Sequence, residues 1–86
     1  MNLFFERVKG DVVIESDTKV MSVIEGDIKV LPGAKLELAA PVKGDIVLKR
    51  FSKASIGAEV DGTVYDEGAS LEVLSDIRLD YKKITK

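Results

Sequence analysis

A Gly-Asp dipeptide followed by a branched apolar residue recurs along this chain, and it restricts the chain to folds in which equivalent segments stack. The copies read Val8-Lys9-Gly10-Asp11-Val12, Ile24-Glu25-Gly26-Asp27-Ile28 and Val42-Lys43-Gly44-Asp45-Ile46. Two looser copies follow, Val60-Asp61-Gly62-Thr63-Val64 and Val73-Leu74-Ser75-Asp76-Ile77. Successive glycines, with Ser75 standing last, are 16, 18, 18 and 13 residues apart. Repeats of that length are units of a solenoid, each burying its apolar face only by stacking on the next.

The local pattern inside each unit is β. Lys35-Leu36-Glu37-Leu38 and Ala69-Ser70-Leu71-Glu72-Val73 alternate apolar and polar residues, and Gly, Pro or Asp breaks the runs before a helix could form. Aligning the copies on the residue after Gly-Asp brings apolar positions into columns. Val12, Ile28, Ile46, Val64 and Ile77 make the first, expected as core; Ile14, Val30, Leu48 and Leu79 make the second, with Asp66 as a misfit. Val20, Leu36, Ala54 and Leu71 make the third, and Ser22, Leu38, Ile56 and Val73 the fourth. Ile24, Val42 and Val60 close the turn. Inward residues two apart fit the pleat of short strands, and stacked strands repeat every ~4.8 Å. The expectation is an all-β fold, a triangular β-helix (β-solenoid) of four to five coils of about 17 residues each. Residues 1–7 read as an N-terminal cap or contact segment, 8–79 as coils and 80–86 as a C-terminal tail, in one domain. Gly10, Gly26, Gly44 and Gly62 are expected at corners with positive φ, and Gly33-Ala34, Gly57-Ala58 and Gly68-Ala69 at a second corner. Pro32 and Pro41 are placed at corners too, where no ladder donor is needed.

Composition narrows the chemistry. Apolar residues make up 45% of the 86 and charged ones 33%, a globular balance with a net charge of −2. Cysteine and histidine are both absent, which removes disulfides, thiolate metal sites, the commonest metal ligand and the usual general base near neutral pH. No Ser–His or Cys–His pair, phosphate-cradling Gly loop or metal triad can be assembled, so no enzyme is expected, and no cofactor. Left-handed hexapeptide-repeat acyltransferases also have 18-residue coils, but they generally use a histidine base, and strict six-residue periodicity is missing here. No stretch is apolar and long enough to span a bilayer, and Met1–Phe5 is too short for a signal peptide, so the expected compartment is the cytoplasm. Glutamine is absent and Asn2 is the only asparagine, which suggests a thermophilic source.

The Val-x-Gly-Asp-Ile repeats, with Ile56-Gly57-Ala58-Glu59-Val60-Asp61-Gly62-Thr63-Val64 in their midst, resemble the bactofilins from about Val8 to Leu79. Those are small cytoskeletal proteins built on a triangular right-handed β-helix, and the chain reads as a minimal or divergent member. Thr63 departs from the family's Asp and Ser75 from its Gly. The resemblance implies right-handed coils and self-assembly into filaments without nucleotide. It also implies that peripheral membrane contact through the N-terminus is open to the chain.

The physics of an open solenoid points to its ends, where strand edges are unpaired and the core cross-section is bare. Leu3, Phe4 and Phe5 at one end and Leu79, Tyr81 and Ile84 at the other are the candidate polymer contacts. Leu3, Phe4 and Phe5 could equally fold over the first coil as a plug, or touch a membrane. On this reading a charge at Tyr81 or Phe5 should abolish polymers and leave the monomer folded. A second reading is a small dimeric interaction module like the C-terminal domain of the division inhibitor MinC, also a short right-handed β-helix, which binds a partner protein through one face. Val13, Val47 and Tyr65, pointing outward from one strand column, are the candidate lateral strip.

Two other clusters read as structure. The stacked Asp11, Asp27, Asp45 and Asp76 could attract calcium, but turn hydrogen bonds and solvation account for them, and Thr63 interrupts the row. Lys49, Arg50 and Lys53 around Phe51 look like a nucleic-acid patch with a stacking aromatic; in an acidic chain they read as a solvated corner, with Phe51 able to tuck inward. No nucleic acid or small-molecule substrate is expected.

Overall fold

The structure, a computed structural model, describes residues 2–4, 9–74, 77 and 79–84, with 2–4 described through their backbone. Among these residues, ten short strands form two parallel sheets in a solenoid of about four turns. The first sheet takes β1 (Asn2–Phe4), β3 (Thr18–Val20), β5 (Lys35–Leu38), β7 (Lys53–Ile56) and β9 (Ser70–Val73) in that order. The second runs β10 (Asp80–Lys83), β8 (Thr63–Asp66), β6 (Ile46–Leu48), β4 (Ile28–Val30) and β2 (Val12–Ile14). A third side is reduced to single bridges, Ile24 to Val42 and Val42 to Val60. Backbone bonds carry the stacking through it: the Val42 N–H donates to the Glu59 carbonyl at 3.0 Å and the Lys43 N–H to that of Ile24 at 2.8 Å.

Alternation inside three- and four-residue strands leaves two inward positions each, and stacking turns these into continuous apolar rows. Ile14, Ile24, Ile28, Val30, Leu36, Ile46, Leu48, Ile56 and Val64 are buried to within about 1% of full enclosure. The rows follow the expected columns through the second and third coils: Ile28 pairs with Ile46 and Val30 with Leu48 on one sheet, Leu36 with Ala54 and Leu38 with Ile56 on the other.

Both ends shift register. In the first coil Thr18, not Val20, pairs with Leu36, and Val20 pairs with Leu38, so Val20 belongs to the fourth column and Ser22 to none. The first coil is two residues shorter at the corner between its strands, where Glu15-Ser16-Asp17 replaces the Leu31-Pro32-Gly33-Ala34-Lys35 of the next. Thr18 can fill an inward position because its hydroxyl donates to the Ser16 carbonyl at 2.8 Å. At the other end the partner of Val64 is Tyr81, not Ile77, and the partner of Asp66 is Lys83, not Leu79. Residues 80–83, expected as a tail, are strand β10, which begins a further turn. Ile77 and Leu79 instead pack, partly buried, against the core from the connection between β9 and β10.

The glycines of the repeat are there for a different reason than expected. Positive φ occurs at Gly10, Gly33 and Gly68, but not at Gly26, Gly44 or Gly62. At those three a Cβ would fall closer than 3.0 Å to the coil below: to the Gly10 carbonyl at Gly26, to the Asp27 carboxylate and Gly26 carbonyl at Gly44, and to the Asp45 carboxylate and Gly44 carbonyl at Gly62. Glycine is required by close approach of stacked corners rather than by backbone conformation. Gly57 also stands apart from its expected companions: Gly33 and Gly68 share one corner, whereas Gly57 ends β7 at another.

Candidate functional site

The aspartates of the repeat form a ladder of hydrogen bonds. Asp11 Oδ1 accepts the N–H of Asp27 at 3.0 Å, Asp27 Oδ1 that of Asp45 at 2.8 Å, and Asp45 Oδ1 that of Thr63 at 2.8 Å. Each carboxylate therefore serves the coil above, and those of Asp27 and Asp45 do so in the space that Gly44 and Gly62 leave by lacking a Cβ. The expected turn hydrogen bonds within a corner are thus replaced by bonds between coils, 16 to 18 residues apart in sequence. Asp76 lies outside the described residues. Among the described residues no group of three or more acidic side chains is placed to hold a metal ion.

Thr63 ends the ladder, and its partner one coil on is Asp80. The preceding residue, in the glycine position, is Leu79, so the Gly-Asp signature is lost where the last turn begins. In the looser copy Ser75-Asp76-Ile77, Ile77 does not take the position after Gly-Asp, which Tyr81 holds.

Among the described residues, the solenoid's C-terminal end is open. Val60, Val73, Ile77 and Leu79, with Asp80, line a concavity of about 660 Å³ where the next coil would lie. β9 and β10 are the outermost strands of their sheets there. Val73 continues the row Val20, Leu38, Ile56 and yet is 38% exposed, because no described strand is stacked above it.

Asp66 and Tyr81 organise this end. Asp66 occupies the inward row of Ile14, Val30 and Leu48 and is only 4% exposed. Its Oδ1 accepts the N–H groups of Gly68 at 2.8 Å and Ala69 at 2.6 Å, and its Oδ2 accepts the Tyr81 hydroxyl. Burial works to raise the Asp66 pKa, but the bonds from Tyr81, Ala69 and Gly68, with the charge of Lys83, together bring it below the ordinary carboxylate value. The Tyr81 pKa is raised, chiefly because its hydroxyl donates to Asp66 and secondly by burial. The carboxylate thus ties the last corner of the first sheet to the extra strand of the second.

The sequence-derived contact residues divide accordingly. Leu3 and Phe4 lie in β1, paired with β3, while Phe5 lies outside the described residues. Leu79 is partly buried, Tyr81 is 47% exposed although bonded to Asp66, and Ile84 is exposed while its N–H donates to the Asp66 carbonyl at 2.7 Å. Asp66 and Val73 were not among the candidates; the misfit of Asp66 in its apolar column was the signal for the first. On the lateral face Val13 is exposed, Val47 and Tyr65 are half-buried, and Lys29 sits between Val13 and Val47 in the paired row. The expected apolar strip is therefore interrupted by a cation.

Searches of family models, curated proteins and solved structures return no match to this chain.

Proposed function

We propose that the protein is a bactofilin-like structural protein whose right-handed solenoid stacks end to end into cytoplasmic filaments without nucleotide. The open C-terminal end carries this reading. There an apolar cross-section and two outermost strands meet solvent together, a combination that repeat proteins normally cover with a polar cap. A second copy seated on it would bury Val73, Ile77 and Leu79, cover the core above Val60 and extend the parallel stacking. The reading assigns the chain no catalysis and names a second copy of itself as its partner.

Negative-stain electron microscopy of the untagged protein, over a range of salt and without nucleotide, is expected to show filaments. Val73→Lys is the cleanest probe of the contact, since a long cation at an exposed end position can reach water. It should abolish filaments while circular dichroism and the melting temperature stay near wild type; filaments that persist would move the contact elsewhere. Tyr81→Arg does not separate the two effects, because it also removes the bond to Asp66. A uniform dimer by light scattering would favour the MinC-like interaction module, with exposed Val13 as its apolar contact.

A further inference from the structure

Phe51 is held in a conformation that its own side chain disfavours. Its φ is 67°, while the residues stacked below and above it at the same corner are Gly33 at 84° and Gly68 at 119°. The three are joined by backbone bonds, Gly33 N–H to the Phe51 carbonyl at 3.1 Å and Phe51 N–H to the Gly68 carbonyl at 3.2 Å. The corner therefore demands a left-handed residue, and the flanking coils supply glycine. A bulky aromatic with positive φ is strained, and strain of this kind persists where the side chain is wanted for something else. That something is not packing, because Phe51 is 74% exposed and does not tuck inward.

Its surroundings indicate what it meets. Arg50 and Lys53 flank it, both exposed, and among the described residues neither joins an ion pair. Lys49 next to them is bound to Glu67 at 3.1 Å and Lys35 to Glu37 at 3.5 Å, so Arg50 and Lys53 leave this corner net positive on a chain of net charge −2. The aromatic ring stands out into solvent, with two exposed cations close to it in sequence. That shape presents itself to a soft, planar, negatively charged layer into which a ring can sink, better than to a rigid pocket.

We infer that the Arg50–Phe51–Lys53 corner docks the protein on an anionic lipid surface, the ring entering the interfacial layer and the two cations meeting headgroup charge. One such corner binds weakly, and copies arrayed in a polymer multiply it by avidity. The corner lies on the side of the solenoid, one coil beneath the outermost one, and vesicle binding by it does not require filaments.

The test is co-sedimentation with vesicles of phosphatidylglycerol and phosphatidylcholine against vesicles of phosphatidylcholine alone, with Phe51→Gly as the central variant. The wild type is expected to bind the anionic vesicles and not the neutral ones. Phe51→Gly should lose about tenfold or more in affinity, keep its filaments, and melt at a higher temperature than wild type because the strain exceeds the entropy a glycine adds to the unfolded chain. Greater stability with weaker binding cannot come from misfolding. Arg50→Glu with Lys53→Glu should abolish the preference for anionic vesicles. Wild-type binding by Phe51→Gly, or equal binding to neutral vesicles, would overturn the inference. An unchanged or lower melting temperature would remove its premise. Loss of binding to a single-stranded oligonucleotide, with vesicle binding unaltered, would reassign the corner to base stacking.

Discussion

Gly44→Ala is expected to destabilise the protein by about 3 kcal/mol or more, although it adds a single methyl group. The new Cβ would lie closer than 3.0 Å to both the Asp27 carboxylate and the Gly26 carbonyl. Moving Asp27 aside breaks its 2.8 Å bond from the Asp45 N–H, and moving the Gly26 carbonyl spreads two coils whose strands are bonded on either side. The strain and the lost bond therefore add. Thermal unfolding followed by circular dichroism should show a fall of more than about 10 °C for a domain of this size. The double variant Asp27→Ala/Gly44→Ala should recover only part of the loss, since the Gly26 carbonyl still blocks the methyl. A fall of only a few degrees would mean that the corners can part without loss, and that the ladder is an accessory to stacking rather than a condition of it.

Asp66→Ala is the second large effect, expected at about 3–5 kcal/mol. It leaves the N–H groups of Gly68 and Ala69 and the Tyr81 hydroxyl without their acceptor, and it opens a space in the inward row beside Leu48. Tyr81→Phe removes only one of the three donors and should lose about 1–2 kcal/mol. The pH dependence follows from the same bonds. Because the folded pKa of Asp66 lies below its unfolded value of 3.8, its contribution is present above that value and disappears as the pH falls through the folded pKa. Tyr81 is raised above 10.0, so its contribution is present below pH 10.0 and disappears as the pH rises through the folded pKa. Urea titrations across pH should therefore show wild-type stability falling at both extremes, and Asp66→Ala should flatten both limbs. Limbs unchanged in the variant would locate the titrating groups elsewhere.

The middle of the fold was legible because its two coils are copies of equal length. Once Gly26-Asp27, Gly44-Asp45 and Gly62-Thr63 are aligned, every inward residue of β4 to β8 falls in its row. The ends were not, and for separate reasons. At the start, a coil two residues shorter still offers Val20 as an attractive partner for Leu36, and only the Thr18 hydroxyl's bond to Ser16 makes the polar alternative acceptable. At the finish, Ser75-Asp76-Ile77 imitates the motif, while the true equivalent, Leu79-Asp80, has lost its glycine because Thr63 ends the row of carboxylates below. The reason for the repeated glycine was out of reach as well. A corner glycine suggests positive φ, and only the interatomic distances show that the neighbouring coil fills the place of its Cβ, with a backbone carbonyl at Gly26 and with an aspartate at Gly44 and Gly62. Of the candidate end contacts, Leu79 and Tyr81 are at the open end, but the exposed Val73 was hidden by its resemblance to buried Ile56.

The aspartate ladder also makes the interior of the chain modular. The stretch Asp27–Gly44 takes its N–H contact from the carboxylate below, offers its own carboxylate above, and ends in a glycine shaped to the aspartate that began it; Asp45–Gly62 does the same. The two segments are interchangeable parts with matching upper and lower surfaces. Whole copies could be added or removed between the first coil and the last without presenting either with an unfamiliar neighbour, whereas a change of one or two residues would misalign every tooth beyond it. Length in this architecture is therefore counted in coils, and the molecule is one stop on a graded series that gene duplication can extend without inventing a new contact.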